Sequence, residues 1–287
     1  MKYEFYKTLW GFSDSYRMAA RLAKECGFSG IEGPAPLSRE EGDGLLEALE
    51  EYQLSYISEI STTGYACPEP GRTAQEHLDA LKSGIERAMH LRPRLYTTMA
   101  GNDLWSFSEN LEFMMKAQEI VKSYGIRIGF ETHRGRTFYH PKITQQLIKE
   151  IPSIELTIDF SHWCCVCERL VLDEMPEVLD MCARHVVHIH LRVGYNQGAQ
   201  VPDPKSARYQ DAVLAHLRWW RRLWLGQRER GFETVTMTPE FGPDGYQQVE
   251  ESTGRPFGDL WEFNCYIADI ARKEFIKAIS HDGFNNS

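Results

Sequence analysis

The sequence predicts an α/β chain closed as a single (β/α)8 barrel, and three observations carry that expectation. Strand-like and helical segments alternate with a repeat of roughly 25–35 residues, the size of a βα unit. Eight such units fit the 287 residues. Four of the strand-like segments, 127–133, 156–162, 186–192 and 235–242, carry Asp, Glu or His at or near their C-terminal ends. That is the end where (β/α)8 enzymes keep their chemistry.

Taken in order, strands are expected near 3–10, 30–33, 54–62, 94–100, 126–132, 156–160, 186–192 and 234–241. Helical patterns fill the intervals. The first, 13–26, sets Tyr16, Ala20 and Ala23 at helical spacing and stops at Gly27. Helices at 39–52, 74–90, 107–124, 142–151, 178–183, 209–230 and 259–279 follow. A doubly wound open sheet is the alternative, but no glycine-rich phosphate loop follows the first strand. No linker divides the chain, so residues 1–287 are read as one domain, with a polar tail from His281 onward expected to fray. The irregular stretches 194–207 and 242–258 follow ligand-bearing strands and are expected over the barrel mouth.

Composition narrows the function classes. The chain has 32 basic and 41 acidic residues and a net charge of −9. Phosphate contacts need clustered Lys and Arg, so a general nucleic-acid binder is disfavoured. No apolar stretch approaches the ~20 residues that span a bilayer. Met1-Lys-Tyr-Glu4 runs straight into a strand with no leader pattern. Seven irregularly spaced cysteines fit a reduced, cytoplasmic setting better than a disulfide framework.

Side chains alternate across a strand. Gly129, Glu131 and His133 therefore share one face, as do Thr157 and Asp159, then His188, His190 and Arg192, then Thr236, Thr238 and Glu240. Glu131, Asp159, His190 and Glu240 fall at the ends of four successive strands. Three carboxylates and one imidazole suit one divalent ion, Mn²⁺, Mg²⁺, Co²⁺ or Zn²⁺. His188 lies two residues deeper and reads as a hydrogen-bonded neighbour rather than a ligand.

From Gly27-Phe-Ser-Gly-Ile-Glu32 to Pro239-Glu-Phe-Gly242 these segments resemble the xylose-isomerase-like TIM-barrel superfamily of sugar isomerases, epimerases and related enzymes. The resemblance implies a TIM barrel in which Glu131, Asp159, His190 and Glu240 hold one metal ion. It implies substrate contact by His162, three residues after Asp159. Where the family's epimerases carry an Arg six residues after the metal His, this chain carries Asn196.

Such a centre suits isomerisation or epimerisation of a sugar or keto-polyol through an enediolate. The resemblance implies Glu131 and Glu240 as acid and base, and strand parity adds His133. Arg192 would pair with a negative group or a developing oxyanion. Asn196, Gln197 and Gln200 would recognise hydroxyls, Trp10 would line the pocket, and Trp105 is the weaker aromatic candidate. Glu32 and Glu59 end earlier strands and would bind substrate or cap helices. Cys164-Cys-Val-Cys167 is read as a small-residue run opening a helix rather than a redox or zinc pair. Trp219, Trp220 and Trp224 form a stripe that packs on the barrel wall or serves a homo-oligomer face.

The expected partner is a small polyhydroxylated substrate, without nucleic acid or membrane. A lyase or dehydratase acting on a keto-sugar is the nearest alternative. An apurinic-site endonuclease is disfavoured, because 57–62 and 96–103 lack the extra His ligands such enzymes use. A non-catalytic carbohydrate binder is the third alternative.

Overall fold

Each strand-like segment folds as a strand, most of them shorter than their pattern. They are β1 (Lys2–Thr8), β2 (Gly30–Pro34), β3 (Ser55–Ser61), β4 (Leu95–Met99), β5 (Ile128–Glu131), β6 (Leu156–Ile158), β7 (Val186–Leu191) and β8 (Thr234–Pro239). In the computed structural model, which describes residues 1–243 and 245–281, the eight parallel strands close in sequence order into a single (β/α)8 TIM barrel. The polar tail 282–287 lies outside the described residues.

The helices begin where capping groups allow. They are α1 (Tyr16–Glu25), α2 (Arg39–Tyr52), α3 (Ala74–Ala88), α4 (Phe107–Tyr124), α5 (Pro141–Glu150), α6 (Ser161–Val166), α7 (Pro176–His185), α8 (Gln210–Glu229) and α9 (Leu260–His281). Thr73 with Glu76 and Ser106 with Glu109 form reciprocal capping boxes at α3 and α4. The pattern over 74–90 splits into α3 and a 3-10 turn, Met89–Leu91, which ends at Arg92 with φ 51°. The six-residue α6 is missing from the expected helices, and the cysteine run expected to open a helix instead ends this one, with Cys167 as its C-cap.

Contacts group the chain into two compact units, Tyr6–Thr157 and Met1–Phe5 with Ile158–Ser287. In the first, Thr97 Oγ1 donates to Thr157 Oγ1 at 2.9 Å, although β5 runs between β4 and β6. Strands two apart in a closed sheet meet this way only through the barrel interior. Gly129 leaves the room, since a Cβ there would sit 2.3 Å from Thr157 Oγ1. Alternation then sets Glu131 on the same inner face as Gly129, at the strand end.

In the second unit, β7 pairs with β8 in a register that sets His188 beside Thr236 and His190 beside Thr238. Trp219, Trp220 and Trp224 of α8 are all at most 1 % exposed, so the aromatic stripe is core. Trp219 Nε1 donates to Asp173 Oδ1 at 2.9 Å. None of the seven cysteines is joined in a disulfide. No helix among the described residues is long and apolar enough to cross a membrane.

Candidate metal centre

Asp159 sits one residue past β6 and is fully buried. Its Oδ1 accepts from the Ser161 backbone N–H at 2.9 Å and from Ser161 Oγ at 2.5 Å. This Asp-x-Ser turn opens α6 and brings His162 round to 3.5 Å from Asp159 Oδ2. Arg192, one residue past β7, is 2 % exposed and donates from Nη2 to Asp159 Oδ2. It also donates from Nε to Ser161 Oγ at 3.1 Å and from Nη2 to His162 Nε2 at 2.6 Å. Because the guanidinium only donates, His162 Nε2 is the accepting nitrogen, and the neutral ring carries its proton on Nδ1.

His190 Nδ1 lies 3.1 Å from Glu240 Oε2, and Arg192 Nη2 lies 3.7 Å from the same oxygen. Donor atoms on neighbouring vertices of an octahedral ion, each at about 2.1 Å, stand about 3.0 Å apart. The His190–Glu240 separation therefore fits a pair of ligands on one ion. The two ring nitrogens of His188 lie within hydrogen-bond reach of threonine hydroxyls, Thr236 Oγ1 at 2.8 Å and Thr238 Oγ1 at 3.1 Å. Burial pushes the Asp159 carboxyl above its usual range, Arg192 pulls it down, and Glu240 pushes it up. Buried groups of His, Asp and Glu that could hold a metal ion are thus present among the described residues.

The exit of β8 is held by two side-chain amides. Asn264 accepts from the Phe241 N–H at 2.7 Å and donates to the Phe241 carbonyl at 3.1 Å. Gln200 does the same for Gly242, at 2.9 and 3.1 Å. These bonds fix the chain immediately after Glu240. Gln200, expected to recognise hydroxyls, is instead 4 % exposed and engaged with backbone. Loop polarity in a sequence does not distinguish an amide that faces solvent from one that replaces a sheet ladder.

The loop leaving β7 approaches the start of α6 closely. A Cβ on Gly194 would lie 2.4 Å from the Ser161 carbonyl oxygen and 2.6 Å from Ser161 Cα. The Gly194 N–H donates to His216 Nε2 at 3.3 Å, and His216 Nδ1 donates to the Ala212 carbonyl at 2.9 Å. Burial pushes His216 down to about 4. Cys164, on α6, is buried and its thiol is raised by that burial, so the Cys-x-x-Cys spacing holds a core thiol rather than a reactive pair. Tyr246 was missed by the sequence reading. Its ring lies 4.9 Å from the Arg192 guanidinium carbon and 6.2 Å from the His162 ring.

In the other unit, Glu131 ends β5 and is 3 % exposed. His133 Nδ1 donates to the Arg134 carbonyl at 2.5 Å, which leaves Nε2 as the basic nitrogen. Arg136 was also missed. It is fully buried, donates to the Thr63 and Tyr65 carbonyls at 2.8 and 2.6 Å, and is pushed down to about 10 by burial. Trp10 is half-buried in the turn after β1, its backbone N–H donating to Thr8 Oγ1 at 3.0 Å. Trp105 packs edge-on against His77 and Phe113. Glu32 and Glu59, expected to end their strands, are instead buried within β2 and β3, which run on to Pro34 and Ser61. Asn196 and Gln197 are exposed at the tip of a hairpin closed by Tyr195 and Gly198, outside the buried cluster.

The family described as xylose isomerase-like TIM barrel matches residues 20–239. No curated protein matches the chain. Among solved structures, an L-ribulose 3-epimerase superposes with a TM-score of 0.66 at 14 % identity, covering 100 % of this chain and 99 % of that one. Endonuclease IV from Thermus thermophilus superposes at 0.58 and 15 % identity, covering 96 % and 100 %. A probable 3-DHS dehydratase from Bacillus anthracis superposes at 0.58 and 14 %, covering 94 % and 99 %. At these identities the likeness is one of fold.

Proposed function

Since the chain belongs to the xylose isomerase-like TIM barrel family, we propose that it is a divalent-metal-dependent isomerase or epimerase of a sugar or keto-polyol. The observation that carries this reading is the buried trio at three successive strand ends, Asp159, His190 and Glu240, with the His190–Glu240 donor atoms 3.1 Å apart. Glu131, at the end of β5, is the fourth ligand in the proposal. The native ion is Mn²⁺, Mg²⁺, Co²⁺ or Zn²⁺. Bound there, it would polarise a substrate carbonyl and acidify the adjacent C–H.

The chain's own residues then divide the work. Glu131 and Glu240 are the candidate acid and base, each able to exchange a proton at a carboxylate oxygen. His133 Nε2 is a further base, since its other nitrogen is committed to the Arg134 carbonyl. His162 presents Nδ1–H as a donor to a substrate hydroxyl, its tautomer fixed by Arg192. Arg192 holds Asp159 and His162 in place, and its positive charge also favours an oxyanion nearby. The Tyr246 ring lies against the Arg192 guanidinium on this side.

A dehydratase acting on a keto-sugar begins with the same proton abstraction, and the fold is equally that of a probable dehydratase. Product identity separates the two. The test is to incubate the protein with a panel of keto-sugars, then repeat after chelation and after metal add-back. Interconversion of epimers or of aldose and ketose, lost on chelation and restored by metal, is the expected result. Turnover undiminished by verified metal removal would sink the mechanism. Cleavage of abasic DNA as the sole activity would assign the protein to a different function.

A further inference from the structure

Beyond the buried cluster lies a cleft of about 520 Å³ between the end of α6, the β7 hairpin and the start of α8. Its size falls within the range of small-molecule sites, roughly 300–1,000 Å³. Two half-buried tyrosines, Tyr195 and Tyr209, wall it, with ring centroids 5.3 Å apart at 65°. The exposed amides of Asn196 and Gln197 stand at its rim. Each amide offers both donors and an acceptor.

The charges lining the cleft cancel. Glu168 and Asp211 oppose Arg169 and Arg208, which selects against a strongly anionic or cationic ligand. Aromatic walls, amides of both polarities and no net charge fit a neutral polyhydroxylated ring. Glu168 holds φ at +54°, in the left-handed region that a non-glycine residue rarely adopts, and such strain gathers at ligand sites.

The cleft is built from the same two chain segments that carry part of the candidate centre. Helix α6 starts beside His162 and ends just before Glu168, and its six residues span about 9 Å. On the other wall, Tyr195 follows Arg192 by three residues. The cleft and the candidate centre therefore share two chain segments, 161–168 and 192–195.

We infer that this cleft is a second saccharide subsite, and that the substrate is a glycoside or short oligosaccharide. Its reacting ring lies at Asp159, His190 and Glu240, and its neighbouring ring packs against Tyr195 and Tyr209. The first half stands on the cleft alone, and the second rests on the isomerase or epimerase reading.

The test measures binding of glucose, maltose, cellobiose and trehalose by calorimetry, with the ion content of each sample determined in parallel. The proteins are the wild type, Tyr209→Ala and Gln197→Ala, each checked for fold by circular dichroism. At least one disaccharide is expected to bind more tightly than glucose. Tyr209→Ala should weaken that disaccharide about tenfold and leave glucose unchanged, the loss of one aromatic contact. Gln197→Ala, at an exposed hairpin tip, keeps the question open should Tyr209→Ala unfold. Absence of disaccharide binding, or equal affinity in all folded variants, overturns the subsite. A protein without metal that still binds a disaccharide through Tyr209 keeps the subsite and sinks the metal mechanism. A metallated, sugar-active protein indifferent to both substitutions does the reverse.

Discussion

Arg192→Met removes the guanidinium that lies against Asp159 while keeping an unbranched stem of similar bulk. Asp159 is fully buried, Arg192 is 2 % exposed, and Glu240 stands 3.7 Å from the same guanidinium. Without the cation, two carboxylates lose one shared partner. Removing one side of a buried pair costs about 3–5 kcal/mol, because the remaining charge is left without compensation. For 287 residues the unfolding entropy is about 0.6 kcal/mol/K, so the midpoint should fall by about 5–8 °C. The assay is thermal unfolding in chelator, followed by titration with Mn²⁺. An ion at a hundred times its dissociation constant returns about 2.7 kcal/mol. The variant should gain more from the ion than the wild type does, because the guanidinium no longer competes for Asp159. An unchanged midpoint in chelator, or equal metal gains in both proteins, would refute the idea that Arg192 balances the charge of the cluster.

Asp159→Asn and His190→Gln should each lower metal content and activity together, with the fold retained by circular dichroism. A fully metallated and active Asp159→Asn protein would remove the ligand assignment. Asn264→Leu should cost about 1–3 kcal/mol through the two lost bonds to Phe241, read by urea unfolding, and should weaken metal binding by loosening Glu240. His216 is held near 4 in the folded chain against 6.5 for a free imidazole. Between those values the unfolded chain binds a proton that the folded chain does not, so stability falls as pH drops from about 6.5 to 4. The full window is worth about 3 kcal/mol, and His216→Gln should flatten it when unfolding is compared at pH 7 and 4.5.

The sequence made the barrel legible because strands and helices impose different periods. β7 and β8 alternate polar and apolar residues strictly enough to place His190 and Glu240 at their ends. The pattern fails where elements are short. β6 has three residues and α6 has six, fewer than two helical turns, so no periodicity separates them. Ser161 was nonetheless visible in principle, for Asp-x-Ser is a turn signal. Gln200 and Asn264 were misread or missed for another reason. They bond the backbone of Phe241 and Gly242, and such pairing joins residues far apart in the chain. Tyr246 and Arg136 belong to the same class, with roles set by loops that carry no period.

The contact between Gly194 and Ser161 divides the β7 loop into a fixed stem and a replaceable tip. Any side chain at 194 drives a Cβ into the backbone that carries Ser161, and through it disturbs Asp159. Two and three residues further on, Asn196 and Gln197 stand in solvent at the hairpin tip. A library randomised across this loop and selected for folding alone should therefore return glycine at 194 and near-free choice at 196 and 197. Such a loop can be re-aimed at new ligands while the residues beneath it stay in register, which makes it the natural place to graft a different specificity onto this barrel.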